Sequence, residues 1–200
     1  MAKIGVFGGT FNPIHFGHIH LAVSLKEAKG LDQVIFSPNY ASPFTEKKDT
    51  LLATPQQRFE MVSLALDGIP GCSATDYEIK RPGLSYTIDL VRYIRSSFCK
   101  PQDELFLLLA DDVLEAFSRW KNKEELLDLA IPLVGSRKDL TKDPLLDPRL
   151  QEIFDKGRVA TPIMEISASN IRNRLKKELY CGHLVPQKVL DYILLNKLYL

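Results

Sequence analysis

A chain of 200 residues with 45% hydrophobic side chains can bury one sizeable core, and its formal charge of +1 gives no bulk attraction to nucleic acid or to an anionic membrane. No linker or low-complexity run divides it, so a single domain over residues 1–200 is expected, with neither nucleic acid nor membrane as partner. Cys72, Cys99 and Cys181 are odd in number and widely spaced, there is no charged and apolar leader, and no apolar run reaches about 18 residues; reduced thiols in a soluble, cytoplasmic protein are expected.

In chain order, the apolar run Ile4 to Phe7 predicts a strand over 3–8. After Pro13, the pattern Ile14, Ile19, Leu21, Ala22 and Leu25 predicts a helix over 17–29, stopped by Gly30. Further strands are predicted at 33–37, 72–80, 104–110, 131–135 and 157–161, and further helices at 55–67, 86–97, 122–129, 169–177 and 186–194. Such alternation predicts an α/β fold, a Rossmann-like, doubly wound and mostly parallel sheet with helices on both faces. Ligands of open α/β sheets bind beyond the carboxyl ends of the strands. The post-strand segments Gly8 to His18, Pro38 to Thr45, Ala110 to Asp112 and Gly135 to Arg137 are therefore expected to line one crevice.

The first of these segments reads GGTFNPIHFGH. Gly8 and Gly9 are expected to leave the strand with positive φ and to bring bare N–H groups to a bound anion. The helix that follows presents unpaired N–H donors and partial positive charge at its N-terminus. His15 and His18 are three residues apart, so both rings can lie on one face beside that anion, with Gly17 leaving room for it. Either imidazole can donate to a phosphate oxygen. With the 4 His and 11 Gly of this chain, His-x-Gly-His arises by chance about 0.004 times, so the arrangement is a signal. No GxxxxGK[ST] and no G-x-G-x-x-G occurs, and a protein metal site is not expected from these histidines.

Near the other end stands ISASNIRNRL, residues 166–175. Ser167 or Ser169 can cap a helix starting near Ala168, and Arg172, expected in its first turn, can reach phosphate oxygens with its guanidinium. By their chemistry Asp111 and Asp112 are equally candidates for a helix N-cap, and Ser85 for the N-cap of the helix that follows it. Trp120 is the only tryptophan, suited to a core or to a stacking platform.

The segment GGTFNPIHFGH resembles the nucleotide-binding signature of the nucleotidyltransferase superfamily marked by His-x-Gly-His, which is related to the class I aminoacyl-tRNA synthetases. Within it the chain most resembles the bacterial nicotinate-nucleotide adenylyltransferases, because ISASNIR is close to that family's I-S-[AS]-T-x-[IL]-R. LADDVLEAFSRW resembles its G-x-D followed eight residues later by Trp, and Ser85-Tyr86-Thr87 its S-Y-T. The resemblance implies ATP contacts from Gly8, Gly9, Thr10, Phe11, His15, His18, Asp112, Ser167, Ser169 and Arg172. It implies mononucleotide contacts from Asn39, Ser85, Tyr86, Thr87, Trp120 and Arg137, Trp120 stacking on the pyridine ring. The chain departs from the family in its PNYASPFT, where relatives tend to read P-N-x-x-P-P-H-K: Phe44 replaces the histidine and Thr45 the lysine. Ala110 replaces the usual glycine, and Asn12 stands where many relatives have Asp.

The activity implied is adenylyl transfer from ATP, carried with Mg²⁺, to nicotinate mononucleotide, with His15, His18 and Arg172 as the catalytic set. The nucleophile is already an anion, so positioning and charge stabilisation suffice and no covalent intermediate is needed. Two alternatives stay open: another phosphorylated acceptor, nicotinamide mononucleotide or phosphopantetheine, and a non-catalytic nucleotide-binding module. The apolar tail Val189 to Leu200 can pack on its own core or on a second subunit of a homo-oligomer.

Overall fold

The computed structural model describes residues 1–44, 53–135 and 147–200. Six parallel strands, β1 (Lys3–Gly9), β2 (Gln33–Pro38), β3 (Cys72–Ala74), β4 (Glu104–Ala110), β5 (Ile131–Gly135) and β6 (Arg158–Val159), form one sheet in the order β3-β2-β1-β4-β5-β6. This is the strand order of a dinucleotide-binding Rossmann sheet. Helices α1 (Phe16–Lys29), α2 (Pro55–Leu66), α3 (Thr87–Ser97), α4 (Leu114–Phe117), α5 (Lys123–Leu129), α6 (Pro148–Gly157), α7 (Ala168–Leu175) and α8 (Gln187–Leu195) cover it.

The apolar runs are buried on both faces, as parallel strands require. In β4, Leu105, Leu107 and Leu109 pack with Ile88, Val91 and Ile94 of α3, Phe117 of α4 and Phe154 of α6. Phe106, Leu108 and Ala110 face the opposite layer, with Leu21 and Leu25 of α1, Met61 of α2, Ile171 of α7 and Val189 and Ile193 of α8. The tail packs on this same core: Leu198 and Tyr199 are buried in it. Among the described residues no helix is long and apolar enough to cross a membrane.

Local chemistry explains where the elements start and stop. Thr54 accepts from the Gln57 amide and Gln57 returns a bond to the Thr54 amide, a capping box with Pro55 at the first helical position of α2. Gly30 ends α1 in the left-handed region at φ 61°.

Three expectations need correction. The strand expected at 72–80 ends at Ala74, because Tyr77 turns away to stack on Tyr93 and Glu78 turns into a buried contact with Ser37. The strand expected at 157–161 is only Arg158–Val159, since Gly157 closes α6. Helix α6 was not expected from the sequence, although Asp147 capping Leu150 N–H, Pro148 at the first position and the Leu150/Phe154 spacing are the signals of a helix start.

A Cβ at Gly157 would stand against the carbonyl oxygen of Pro132 in β5, a backbone atom that cannot move aside cheaply. Gly157→Ala is expected to lower unfolding free energy by about 1–3 kcal/mol. Urea denaturation midpoints with an unchanged m-value check it, and an unaltered midpoint would refute this account of how α6 docks.

Candidate functional site

Strands β1 and β4 are neighbours, yet β1 leads into α1 on one face while β4 leads into α4 on the other. The chain divides there, and the carboxyl ends of the two strands border a cavity of about 600 Å³, within the range of small-ligand sites. Gly8, Gly9, Thr10, Phe11, His18, Asn39, Ser85, Tyr86, Thr87, Asp112, Trp120 and Arg172 all line it. His15, Ser167 and Ser169 do not, though Ala168 does. Arg137 and Thr45 lie outside the described residues.

The glycines act differently from the sequence expectation. Gly8 and Gly9 remain in β1, paired with Ser37 and Pro38, and the positive φ falls on Phe11 at 48°. A Cβ at Gly9 would lie 2.9 Å from the Phe11 ring, so the glycine makes room for that ring. Phe11 is buried at 2% exposure and packs edge-on against Phe7 and His18, with ring centroids 5.6 and 5.0 Å apart. That packing offsets a left-handed conformation costing roughly 1–2 kcal/mol in a residue with a Cβ.

The two histidines occupy different depths. His15 is fully buried and stacks on His18, centroids 3.7 Å apart. The His15 backbone N–H donates to His18 Nδ1 at 3.3 Å, so a neutral His18 ring carries its proton on Nε2. A Cβ at Gly17 would meet the His15 ring at 3.1 Å and the Met164 carbonyl at 3.2 Å. Gly17 therefore clears space for His15, not for a ligand.

Groups from distant parts of the chain hold this turn. Arg58, 3% exposed, donates through Nη1 to the Thr10 carbonyl at 2.7 Å and Asn39 Oδ1 at 3.3 Å, and through Nη2 to the carbonyls of Asn39 at 2.6 Å and Tyr40 at 3.0 Å. Burial lowers its pKa to about 10, which leaves it charged at neutral pH. Arg172 Nη1 donates to the Asn12 carbonyl at 2.9 Å, and its Nη2 to Ser169 Oγ at 3.2 Å. Asn12 Oδ1 accepts from the Ala53 amide at 3.2 Å and from the Tyr199 hydroxyl at 2.6 Å. Sequence reading missed Arg58 and Tyr199; only the Asn39 and Asn12 positions they serve were marked.

Other expectations shift in detail. Ser167 is the N-cap residue of α7 without a side-chain cap bond, and Arg172 lies beyond the first turn of that helix. Asp111 and Asp112 form a 3-10 turn with Val113, and neither is an N-cap. Ser85 does not cap α3, whose N-cap is Tyr86; its Oγ accepts from the Tyr40 amide at 2.9 Å. Trp120 both lines the cavity and packs beside Phe117, centroids 4.9 Å apart. Around it stand two cations on aromatic faces: Arg119 over Phe44 at 5.6 Å and Lys121 over Tyr86 at 4.2 Å.

The buried carboxylate on the wall is Glu78, 7% exposed. Burial raises its pKa to about 7, opposed by hydrogen bonds from Ser37 and Ser85 and by the charge of Arg58.

A Rossmann-type sheet with this histidine motif at its switch point defines a nucleotide-binding enzyme of the nucleotidyltransferase class. The family model for cytidylyltransferase-like proteins matches residues 6–174. A "Probable nicotinate-nucleotide adenylyltransferase" of Dictyoglomus thermophilum is 40% identical over 99% of this chain and 100% of its own length. One of the same description from Carboxydothermus hydrogenoformans is 38% identical over 99% of this chain and 98% of its own. Among solved structures, the nicotinic acid mononucleotide adenylyltransferase of Plasmodium falciparum complexed with APC superposes with a TM-score of 0.77 at 18% identity, covering 100% of this chain and 98% of that one. The chain belongs to the nicotinate-nucleotide adenylyltransferase family, within the cytidylyltransferase-like nucleotidyltransferases.

The Glu78 carboxyl gives a pH-dependent stability of defined sign. Between pH 4.5, its ordinary value, and about 7, the folded chain keeps a proton here that the unfolded chain releases. Its contribution to stability is therefore greatest below the lower value and declines as pH rises through the higher one, by an amount on the order of 3 kcal/mol. Thermal unfolding of wild type and Glu78→Gln from pH 5 to 8 should show wild type losing stability relative to the variant across that range. Parallel curves would refute the assignment.

Proposed function

We propose that this enzyme transfers the adenylyl group of ATP to the 5′-phosphate of nicotinate mononucleotide, forming nicotinate adenine dinucleotide and releasing pyrophosphate, in NAD biosynthesis. The observation that carries the reading is one cavity lined both by His18, Arg172 and residues of the β1–α1 turn and by Ser85, Tyr86, Thr87 and Trp120. Family membership and the relatives' names support the choice of acceptor.

The acceptor phosphate oxygen forms a bond to the α-phosphorus of ATP while the bond from that phosphorus to the bridging oxygen of pyrophosphate breaks in line. The attacking group is already an anion and needs no general base. His18 Nε2–H and the Arg172 guanidinium supply donors where negative charge grows on the transferred group and on pyrophosphate. His15, buried behind His18, acts as a positioning residue by fixing that ring through its backbone N–H. Asp112 serves the nucleotide ribose, and Trp120 stacks on the pyridine. Mg²⁺ arrives with ATP as part of the substrate, held largely by phosphate oxygens and water. The reaction needs no nucleic acid or membrane, and we place it in the cytoplasm.

Pyrophosphate release should be measured with ATP and Mg²⁺ and, in parallel, nicotinate mononucleotide, nicotinamide mononucleotide and 4′-phosphopantetheine. Strong preference for the first is expected; preference for another would trace to Phe44 and Thr45, and turnover with none would overturn the enzyme reading. His18→Ala is expected to cut kcat by about 10²–10³-fold, with little change in melting temperature, because its ring is only half-buried. Near-normal turnover in that variant would sink the role given to His18.

A further inference from the structure

Arg58 does not line the cavity, yet it is buried at 3% exposure and joins two segments that do. It stands one turn into α2, whose Met61, Val62, Ala65 and Leu66 are fixed in the core. Its Nη1 donates to the Thr10 carbonyl at 2.7 Å and to Asn39 Oδ1 at 3.3 Å, and its Nη2 to the carbonyls of Asn39 at 2.6 Å and Tyr40 at 3.0 Å. The two segments also meet directly, the Asn39 amide donating to the Gly9 carbonyl at 3.0 Å and Asn39 Nδ2 to Thr10 Oγ1 at 3.2 Å. Beyond Asn39, the Tyr40 amide donates to Ser85 Oγ at 2.9 Å and the Ser85 amide to the Ala41 carbonyl at 2.8 Å. A run of hydrogen bonds thus leads from the turn at Thr10, through Arg58 and the loop after β2, to the segment that begins at Ser85.

We infer that Arg58 is a positioning residue that sets the register between the two halves of the site, holding the turn that receives ATP at a fixed spacing from the loop and segment that receive the acceptor. This role rests on the reading above that Thr10 serves ATP while Asn39 and Ser85 to Thr87 serve the acceptor. In-line transfer requires the acceptor oxygen and the α-phosphorus to meet at about 3–3.5 Å with their bonds aligned, and a misplacement of about 1 Å can lower the rate about 100-fold. Contacts within each half hold its own substrate, but they do not fix one half relative to the other. The guanidinium is planar, with its donors in a rigid fork, so the oxygens bound to its two terminal nitrogens share one frame. A lysine ammonium is a single donor atom and cannot occupy both nitrogen positions.

The test compares wild type with Arg58→Lys by calorimetric binding of AMP, of nicotinate mononucleotide and of nicotinate adenine dinucleotide, which spans both halves, together with kcat and melting temperature. The association constant of the dinucleotide, divided by the product of those of its two halves, measures how well the halves of the site are aligned. In Arg58→Lys each mononucleotide should bind within about 3-fold of wild type, while that ratio and kcat both fall about 10- to 100-fold. A residue that only supported the fold would lower the melting temperature and leave the ratio unmoved.

An unchanged ratio in Arg58→Lys overturns the inference. So does a loss confined to the binding of one mononucleotide, the mark of a purely local contact. If Arg58→Lys does not fold, Ser85→Ala decides, because it cuts the run of bonds one step further on, at the Tyr40 amide. There a dinucleotide loss exceeding the two single losses combined supports the inference, and one that only matches them overturns it. Failure of the functional reading is separately visible, because the wild-type protein would then turn over none of the acceptors.

Discussion

The site depends on how the turn between β1 and α1 is held. Leaving the sheet at Gly9, the chain turns two carbonyls, those of Thr10 and Asn12, away from any ladder partner, and such groups are costly when buried unsatisfied. Two guanidinium groups satisfy them, Arg58 for Thr10 and Arg172 for Asn12, while the Tyr199 hydroxyl holds the Asn12 side chain. These partners come from 48, 160 and 187 residues away. The β1–α1 turn on the cavity wall is therefore held in place only when α2, α7 and the C-terminal tail have docked.

The same constraint sets the electrostatics. Arg58 is buried with carbonyl and amide oxygens as acceptors and no carboxylate within ion-pairing distance among the described residues. Arg172 lines the cavity, as do Arg119 and Lys121, which lie over aromatic faces. A protein of formal charge +1 thereby concentrates cations around one crevice. Glu78 is the buried carboxylate of the wall: burial raises its pKa, and it accepts a hydrogen bond from the Ser37 hydroxyl at the end of β2.

Burial and function coincide at several positions that a choice between core and site would separate. Trp120 borders the cavity and packs on Phe117. Phe11 fills the core beneath Gly9 and also forms the cavity wall on which His18 rests. The rings packed beside His18 and Trp120 limit their rotation, which preorganisation requires.

The sequence by itself determined the class of fold and pointed to the segments that line the candidate site. Apolar runs and 3.6-residue apolar patterns are local, and a motif such as GGTFNPIHFGH carries its own strand, turn and helix start, so both are readable without neighbours. It did not determine which residue of the motif takes the left-handed turn, because the Phe11 ring is rewarded only by Phe7, Phe36 and His18 once packed. Nor could it place His15 behind His18, move Ser85 from a helix cap to a loop anchor, or end the strand at Ala74 so that Glu78 enters the wall. Those outcomes were left to the tertiary structure, since each is set by a hydrogen bond or ring contact whose partner is distant in sequence or whose benefit exists only in a buried environment.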